Sequence, residues 1–243
     1  MASMASTSKS GDSRRLYQQV ADQIRTVIEQ NGFVPGSRLP PERELASQLG
    51  VSRPSLREAL IALEIEGRVE IRMSSGVYVC AAPEPSNTDV QSLGESPSEL
   101  MQARAVLEGS VVSLAAARAN RQGVERVRAC LDAMRHEVQR GQSPVDADRR
   151  FHVAIAELTG NSILARLVGE LFDGRHGAIS SRMSRHSETA RTWESALQEH
   201  ERICQALESR DPQEATAAML SHLKASRARW IGESSAGSDD EHA

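Results

Sequence analysis

From Leu100 to Trp230, apolar residues recur three and four positions apart in six successive segments, and no stretch alternates with the period of a strand. Leu100, Ala103, Leu107, Val111 and Leu114 mark a long helix. Val124, Val127, Leu131, Met134 and Val138 mark another, and Phe151, Ile155 and Leu158 a third. Three more centre on Ile163 to Leu171, Leu197 to Leu207 and Ala215 to Trp230, with Asp211-Pro212 as a start signal for the last. Helices that each carry one apolar stripe must bury it against one another, so an all-α bundle is expected over residues 97–231.

The first third of the chain reads differently. Leu16, Val20, Ile24, Val27 and Ile28 give a helix of about four turns, stopped by Asn31-Gly32 and Pro35-Gly36. A short helix, Glu42 to Leu49, starts behind Pro40-Pro41, carries acids in its first turn and ends at Gly50. A third follows, with Ser52 as N-cap, Pro54 in its first turn, and Leu56, Leu60 and Leu63 on its buried stripe. Val69 and Ile71 alternate with Glu70 and Arg72. Ser74-Ser75-Gly76 then turns the chain into Val77-Tyr78-Val79, which predicts a two-stranded hairpin. Two helices joined by a tight glycine turn and followed by a hairpin match a winged helix-turn-helix. Arg53 and Arg57 lie one turn apart, away from the leucine stripe, so both should project outward beside Ser52 and Ser55.

The net charge of −4 does not advertise a nucleic-acid binder, but Arg38, Arg43, Arg53, Arg57, Arg68 and Arg72 gather in the first third and leave room for a local basic face. Residues 1–11 read as a disordered arm rather than a signal peptide, 12–81 as the winged helix-turn-helix, 82–96 as a Pro/Ser/Asn/Asp linker, and 232–243 as a disordered tail. No apolar run approaches a membrane span. Cys80, Cys130 and Cys204 are odd in number and far apart, which suggests neither disulfides nor a zinc knuckle, and a reducing cytoplasmic setting is expected.

The segments Pro35-Gly36-Ser37-Arg38-Leu39-Pro40-Pro41-Glu42-Arg43-Glu44-Leu45-Ala46 and Val51-Ser52-Arg53-Pro54-Ser55-Leu56-Arg57-Glu58-Ala59-Leu60 resemble the DNA-binding domain of the GntR superfamily, from about Leu16 to Val79. The resemblance implies operator contacts from Arg43, Ser52, Arg53, Ser55, Arg57 and the wing tip Ser74, Ser75 and Gly76. It departs at Ser74, where the family's wing usually has the first of two glycines. An arginine fork can take guanine O6 and N7 together, while hydroxyls and helix N-termini hold phosphates.

In the helical part, Asp148 and His152 share one helix face at i, i+4, and Phe151 and Ile155 place that face toward the core. His200 accompanies Leu197, Cys204 and Leu207, and His222 lies beside Met219 and Leu223. Each could be a satisfied core group; together, imidazole nitrogens and a carboxylate suit Zn2+, Ni2+, Mn2+ or Fe2+. His136, His176, His186 and His242 have no such company and read as surface groups.

The same region resembles the FCD ligand-binding domain of the FadR subfamily, through Arg104-x-x-x-Glu108, Asp148-x-x-Phe151-His152, Asn161, Glu199-His200 and His222-Leu223. The metal-binding branch implies Asp148, His152, His200 and His222 as ligands of a divalent cation, zinc first, facing the carboxylate of an effector. Members that bind acyl-coenzyme A lack this set. Leu60-Ile61-Ala62-Leu63-Glu64-Ile65-Glu66-Gly67, Gly76-Val77-Tyr78-Val79 and Glu99-Leu100-Met101-Gln102-Ala103-Arg104 look closest to the hexuronate-responsive repressors. A sugar acid would find a further partner in Arg104 or Arg175. The plainer readings are an i, i+4 pair of Arg104 with Glu108 and a solvated Arg175.

A regulator of this kind is expected to be a homodimer on an inverted repeat, commonly a repressor released by its ligand. Two rivals stand beside it: a helical domain that only dimerises, and a metal-dependent hydrolase. The hydrolase lacks an H-E-x-x-H motif or a comparable acid/base partner.

Overall fold

The computed structural model describes residues 15–72, 74–81 and 93–231, with side chains undescribed at 185–187 and 231. The expected arm and tail, most of the expected linker, and His242 lie outside these residues, as does the side chain of His186. The chain divides into two compact units, residues 1–82 and 83–243.

In the first unit, α1 (Leu16–Gln30), α2 (Glu42–Leu49) and α3 (Arg53–Ile65) precede strands β1 (Val69–Arg72) and β2 (Gly76–Val79). The buried stripe of α1 runs through Tyr17, Val20, Ala21 and Ile24, one residue off the expected start. Leu16 is instead 47% exposed. Together with Leu39, Leu45, Leu56, Leu60, Leu63, Val69, Val77 and Val79, this stripe forms one core. Gly50 closes α2 in the left-handed conformation, φ 66°, where a residue without Cβ costs least. Ser52 caps α3, its hydroxyl accepting from the Ser55 N–H at 3.2 Å.

The hairpin is antiparallel, pairing Val69 with Val79 and Arg72 with Gly76. A third short segment joins it: Gly36 N–H donates to the Val79 carbonyl and Leu39 N–H to that of Val77, both at 2.8 Å. Pro35 and Pro40 bracket this segment so tightly that no alternating pattern can develop in the sequence. Gly76 sits at φ +120°, and a Cβ there would stand 2.7 Å from Arg38 Nε. Gly76→Ala is therefore expected to lower the stability of the first unit by about 1–2 kcal/mol, read as a fall in its unfolding midpoint, with the unfolding of the second unit unchanged.

The second unit is wholly helical among its described residues: α4 (Pro97–Arg118), α5 (Arg121–Gln139), α6 (Val145–Glu157), α7 (Ser162–Asp173), a 3-10 turn at Gly174–His176, α8 (Ala178–Ser187), α9 (Ala190–Glu208) and α10 (Pro212–Ile231). Side-chain caps set its helix starts. Asn120 accepts from Gly123 N–H at 2.8 Å, Asn161 from Ile163 at 3.0 Å and Asp211 from Gln213 at 2.9 Å. α4 packs along α10, and α5 along α6 and α9. Met101, Val112, Leu131, Met134, Phe151, Ile203, Leu207 and Met219 fill the space between them.

Six helices were expected in this region and seven are present. The additional one, α8, buries the apolar Ile179 and Met183 together with Ser180 among its described side chains, and one apolar i, i+4 pair among serines and arginines is too short to show a period. Leu93 and Ser96, at the end of the expected linker, are each 2% exposed, and Ser96 caps α4 through the Glu99 N–H at 3.2 Å. The packed unit thus begins before residue 97. None of the helices among the described residues is long and apolar enough to cross a membrane.

Candidate functional site

Asp148 and His152 come from α6, His200 from α9 and His222 from α10, and all four are buried, at 6, 1, 0 and 4% exposure. They converge because each lies on the apolar stripe of its helix. Phe151 packs between them, 4.4 Å from the His200 ring centroid.

One nitrogen of each of His152, His200 and His222 lies within 4.8 Å of the others, an arrangement that could hold a metal ion. His200 Nε2 stands 3.3 Å from His222 Nε2 and 3.4 Å from Asp148 Oδ1, and His152 Nε2 is 3.5 Å from the same oxygen. Neither Asp148 Oδ1 nor His152 Nε2 has a hydrogen-bond partner, although buried polar atoms normally find one.

The outward nitrogens explain which atoms face the centre. His152 Nδ1 is 2.5 Å from Glu108 Oε2, and His222 Nδ1 is 2.8 Å from Glu199 Oε2. A carboxylate only accepts, so each Nδ1 carries the proton and each Nε2 presents a lone pair inward. His200 Nε2, 3.3 Å from His222 Nε2, donates to that lone pair if it carries the proton. With the proton on its unpartnered Nδ1 it presents a second lone pair, and the two then repel unless a cation lies between them. Four donors about 2.0–2.1 Å from a zinc ion stand about 3.3–3.4 Å from one another, and the three separations measured here fit that arrangement.

The charges around the centre are balanced. Burial works against ionisation of Glu108, but Arg104 and His152 beside it outweigh that and hold it at about 2. Burial likewise opposes ionised Glu199, and its bonds to Arg229 and His222 hold it at about 2. Burial pushes Asp148 up, yet His152 in ion-pair range, followed by His200 and Arg175, leaves it well below the ordinary carboxyl value. Burial, then the neighbouring His222, drives His200 well below the usual imidazole value. Burial also lowers His222. Burial opposes a charged His152, but Glu108 and the contacts with Asp148 and Glu108 outweigh that and raise it above the usual imidazole value. The site therefore offers anionic carboxylates and two neutral imidazoles, and His152 gives up its proton when a metal binds.

Glu108 and Glu199 were visible in the sequence only as motif neighbours, and their role as histidine partners was missed. The available sign was a carboxylate set among apolar positions, Glu108 between Leu107 and Val111. Glu108→Gln is expected to weaken metal binding about 10- to 100-fold, measured by competition with a chelator, because an amide stabilises the oriented imidazole less than a carboxylate does.

A pocket opens beside the centre, with Arg104, Asp148, Arg175, His222, Trp193 and Trp230 in its lining. Arg104 makes the i, i+4 pair with Glu108 and keeps one donor group free. Its Nε bonds Glu108 at 2.7 Å, and its buried Nη2 has no hydrogen-bond partner. Arg175 is not a solvated surface residue. Its side chain is 14% exposed, bonds Glu188 at 2.7 Å and Asp148 at 3.4 Å, and lies over the Phe172 ring. No apolar period marks this position, because the arginine sits in a 3-10 turn outside any periodic segment. Arg229, Glu188, Trp193 and Trp230 were also missed; they lie on polar faces whose orientation depends on α8 and α9. His136 and His176 are exposed.

In the first unit, Arg53 and Arg57 are exposed on α3, and Arg43 is exposed on α2. Ser55 does not stand outward beside them as expected. It is 8% exposed, and its hydroxyl lies 2.8 Å from that of Ser52, because the capping turn folds it back. Ser74 and Ser75 are exposed at the wing tip. Ser74 takes φ +62°, the left-handed conformation that glycine adopts without strain, and Ser75 Oγ is 2.8 Å from the Tyr78 hydroxyl. The backbone thus keeps the turn that a glycine would favour.

Comparison with known proteins agrees with both halves. The model of the gntR family of bacterial regulatory proteins matches residues 16–79, and that of the FCD domain matches residues 99–225. The chain belongs to the gntR family and carries an FCD domain. It is similar to the Uxu operon transcriptional regulator of Escherichia coli (strain K12), at 36% identity over 90% of this chain and 88% of that protein. It is also similar to the Exu regulon transcriptional regulator of the same strain, at 33% over 91% and 87%. The solved structure of E. coli McbR/YncC, at 19% identity and a TM-score of 0.51 over 90% of this chain and 99% of that one, shows the fold alone. The protein is thus a DNA-binding transcription regulator of the gntR family rather than an enzyme.

Proposed function

We propose that this gntR-family regulator represses a sugar-acid catabolic operon and leaves its operator when a hexuronate or related carboxylate binds at a divalent metal, zinc first, held by Asp148, His152, His200 and His222. The observation that carries this reading is the convergence of three buried Nε2 atoms and the carboxylate oxygen Asp148 Oδ1, beside a pocket that also holds Arg104 and Arg175. Bound there, the metal would act as a Lewis acid toward an anionic oxygen. Arg104, with an unpartnered Nη2, and Arg175 supply planar donor forks for a carboxylate. The similarity to the Uxu and Exu regulators supports a hexuronate as the effector class.

On DNA, Arg43, Ser52, Arg53, Arg57 and the wing tip Ser74 to Gly76 form the operator face, with Ser55 holding the Ser52 hydroxyl in place. One helix-turn-helix reads few base pairs, so the protein works as a homodimer on an inverted repeat in the cytoplasm. Gel-shift titration of metal-loaded protein against an inverted-repeat operator tests this. Two chains per site, and release by a hexuronate, are expected. A single chain saturating a site without symmetry contradicts the dimer, and a complex indifferent to every hexuronate favours a helical domain that only dimerises.

A further inference from the structure

The pocket beside the metal centre is small, about 50 Å³. A cavity of about 150 Å³ is what holds a molecule the size of benzene, so this space takes the acidic end of a sugar acid and not its body. A second cavity of about 250 Å³ adjoins it, and Glu188 and Trp193 line both. The second cavity is otherwise bounded by Val138 and Gly141 to Ser143 at the end of α5, and by Thr189 and Ala190 at the start of α9.

The chemistry of the two spaces differs. The inner one gathers Arg104, Arg175 and the candidate metal ligands Asp148 and His222, the groups that hold a carboxylate. Among the described residues the outer one has a single charged lining residue, Glu188, with the neutral polar side chains of Gln142, Ser143 and Thr189 beside the Trp193 indole. An amide and hydroxyls next to an aromatic face suit a hydroxylated carbon skeleton, with hydroxyls on the polar groups and C–H faces on the ring.

We propose that this outer cavity is a second subsite of the effector site, taking the hydroxylated body of a sugar acid whose carboxylate lies at the metal, and that Gln142 and Ser143 are specificity-determining residues. The partition between the spaces is held by the Glu188 to Arg175 ion pair, 2.7 Å long. A carboxylate arriving at Arg175 takes the position Glu188 occupies and frees the partition to open. The inference rests on the effector reading above and adds to it a reason to prefer a long polyhydroxy acid over a short hydroxy acid with the same head.

The test compares a six-carbon sugar acid, glucuronate or galacturonate, with glycolate, which has the carboxylate and 2-hydroxyl but no body. Binding to the metal-loaded full-length protein is measured by calorimetry in wild type, Gln142→Ala and Ser143→Ala. Both residues are exposed in the turn before α6, so folding and metal content should be unaltered, which thermal unfolding and elemental analysis of each variant check. Each alanine variant is expected to lose about five-fold in affinity for the sugar acid, the effect of one hydrogen bond, with glycolate unchanged. Equal losses for the two acids, or none for either, would overturn the subsite while leaving the metal site standing. If wild type binds glycolate and neither sugar acid, the subsite also fails. If wild type binds none of the acids, it is the effector reading itself that falls.

Discussion

Replacing His200 with alanine is expected to weaken metal binding by more than about 100-fold, beyond the loss that removal of an outer partner causes, and to abolish effector-dependent release of DNA. His200 Nε2 is the atom closest to both His222 Nε2 and Asp148 Oδ1, at 3.3 and 3.4 Å, so its loss opens the set in the middle. The three helices α6, α9 and α10 would lose their shared tie, and the unfolding midpoint should fall with the metal content. Operator affinity should persist, because Arg53 and Arg57 belong to the other unit. Asp148→Asn is the sharper companion. It keeps the shape, removes the anionic ligand that offsets the cation's charge, and should weaken metal binding with a smaller loss of fold. Elemental analysis of the purified variants, with gel shifts in the presence and absence of a hexuronate, measures all three effects. Full metal content in both variants would remove these residues from the ligand set.

The second large effect concerns DNA. Arg53→Ala and Arg57→Ala should each lower operator affinity by about 5- to 150-fold where the arginine reads a base, and should relax preference at that base pair. Where it holds a phosphate, the loss should be uniform across sequences and the salt slope should fall by about one. Both side chains are exposed and away from the Leu56, Leu60 and Leu63 stripe, so stability and metal content should not change. Gel shifts at several salt concentrations separate the two cases. Unaltered affinity and salt dependence in both variants would take α3 out of the operator face.

The elements that the sequence shows well are those with several turns of one-sided burial. α2 was legible to the residue and α3 at its start, because Pro40-Pro41, Gly50 and the Ser52 cap mark these ends and Leu56, Leu60 and Leu63 mark the buried face. The convergence of Asp148, His152, His200 and His222 was legible for a related reason: a charged or imidazole side chain on an apolar stripe must find a partner, and four such side chains on three helices can share one. What escaped were features with no period. α8 has one buried pair, the segment 36–39 pairs with β2 between two prolines, and Tyr17 displaces Leu16 because the exact rotation of α1 is settled by packing against α3. The same limit hid Arg175, Glu188 and Trp193, whose positions depend on how the 3-10 turn and the start of α9 are folded.

The two units of the chain are linked functionally only if effector binding changes the balance between DNA-competent and released forms. A ligand shifts such a balance only by its differential affinity for the two. If the effector's carboxylate is held through the metal, removing the metal removes most of that difference while leaving the DNA face intact. The decisive measurement is therefore operator release by a hexuronate in metal-loaded protein and in protein shown by elemental analysis to be metal-free and by circular dichroism to be folded. The account predicts release from the loaded form and continued DNA binding by the metal-free form at the same effector concentration. Release at equal effector concentration from both would leave the metal a structural role at most and contradict the mechanism.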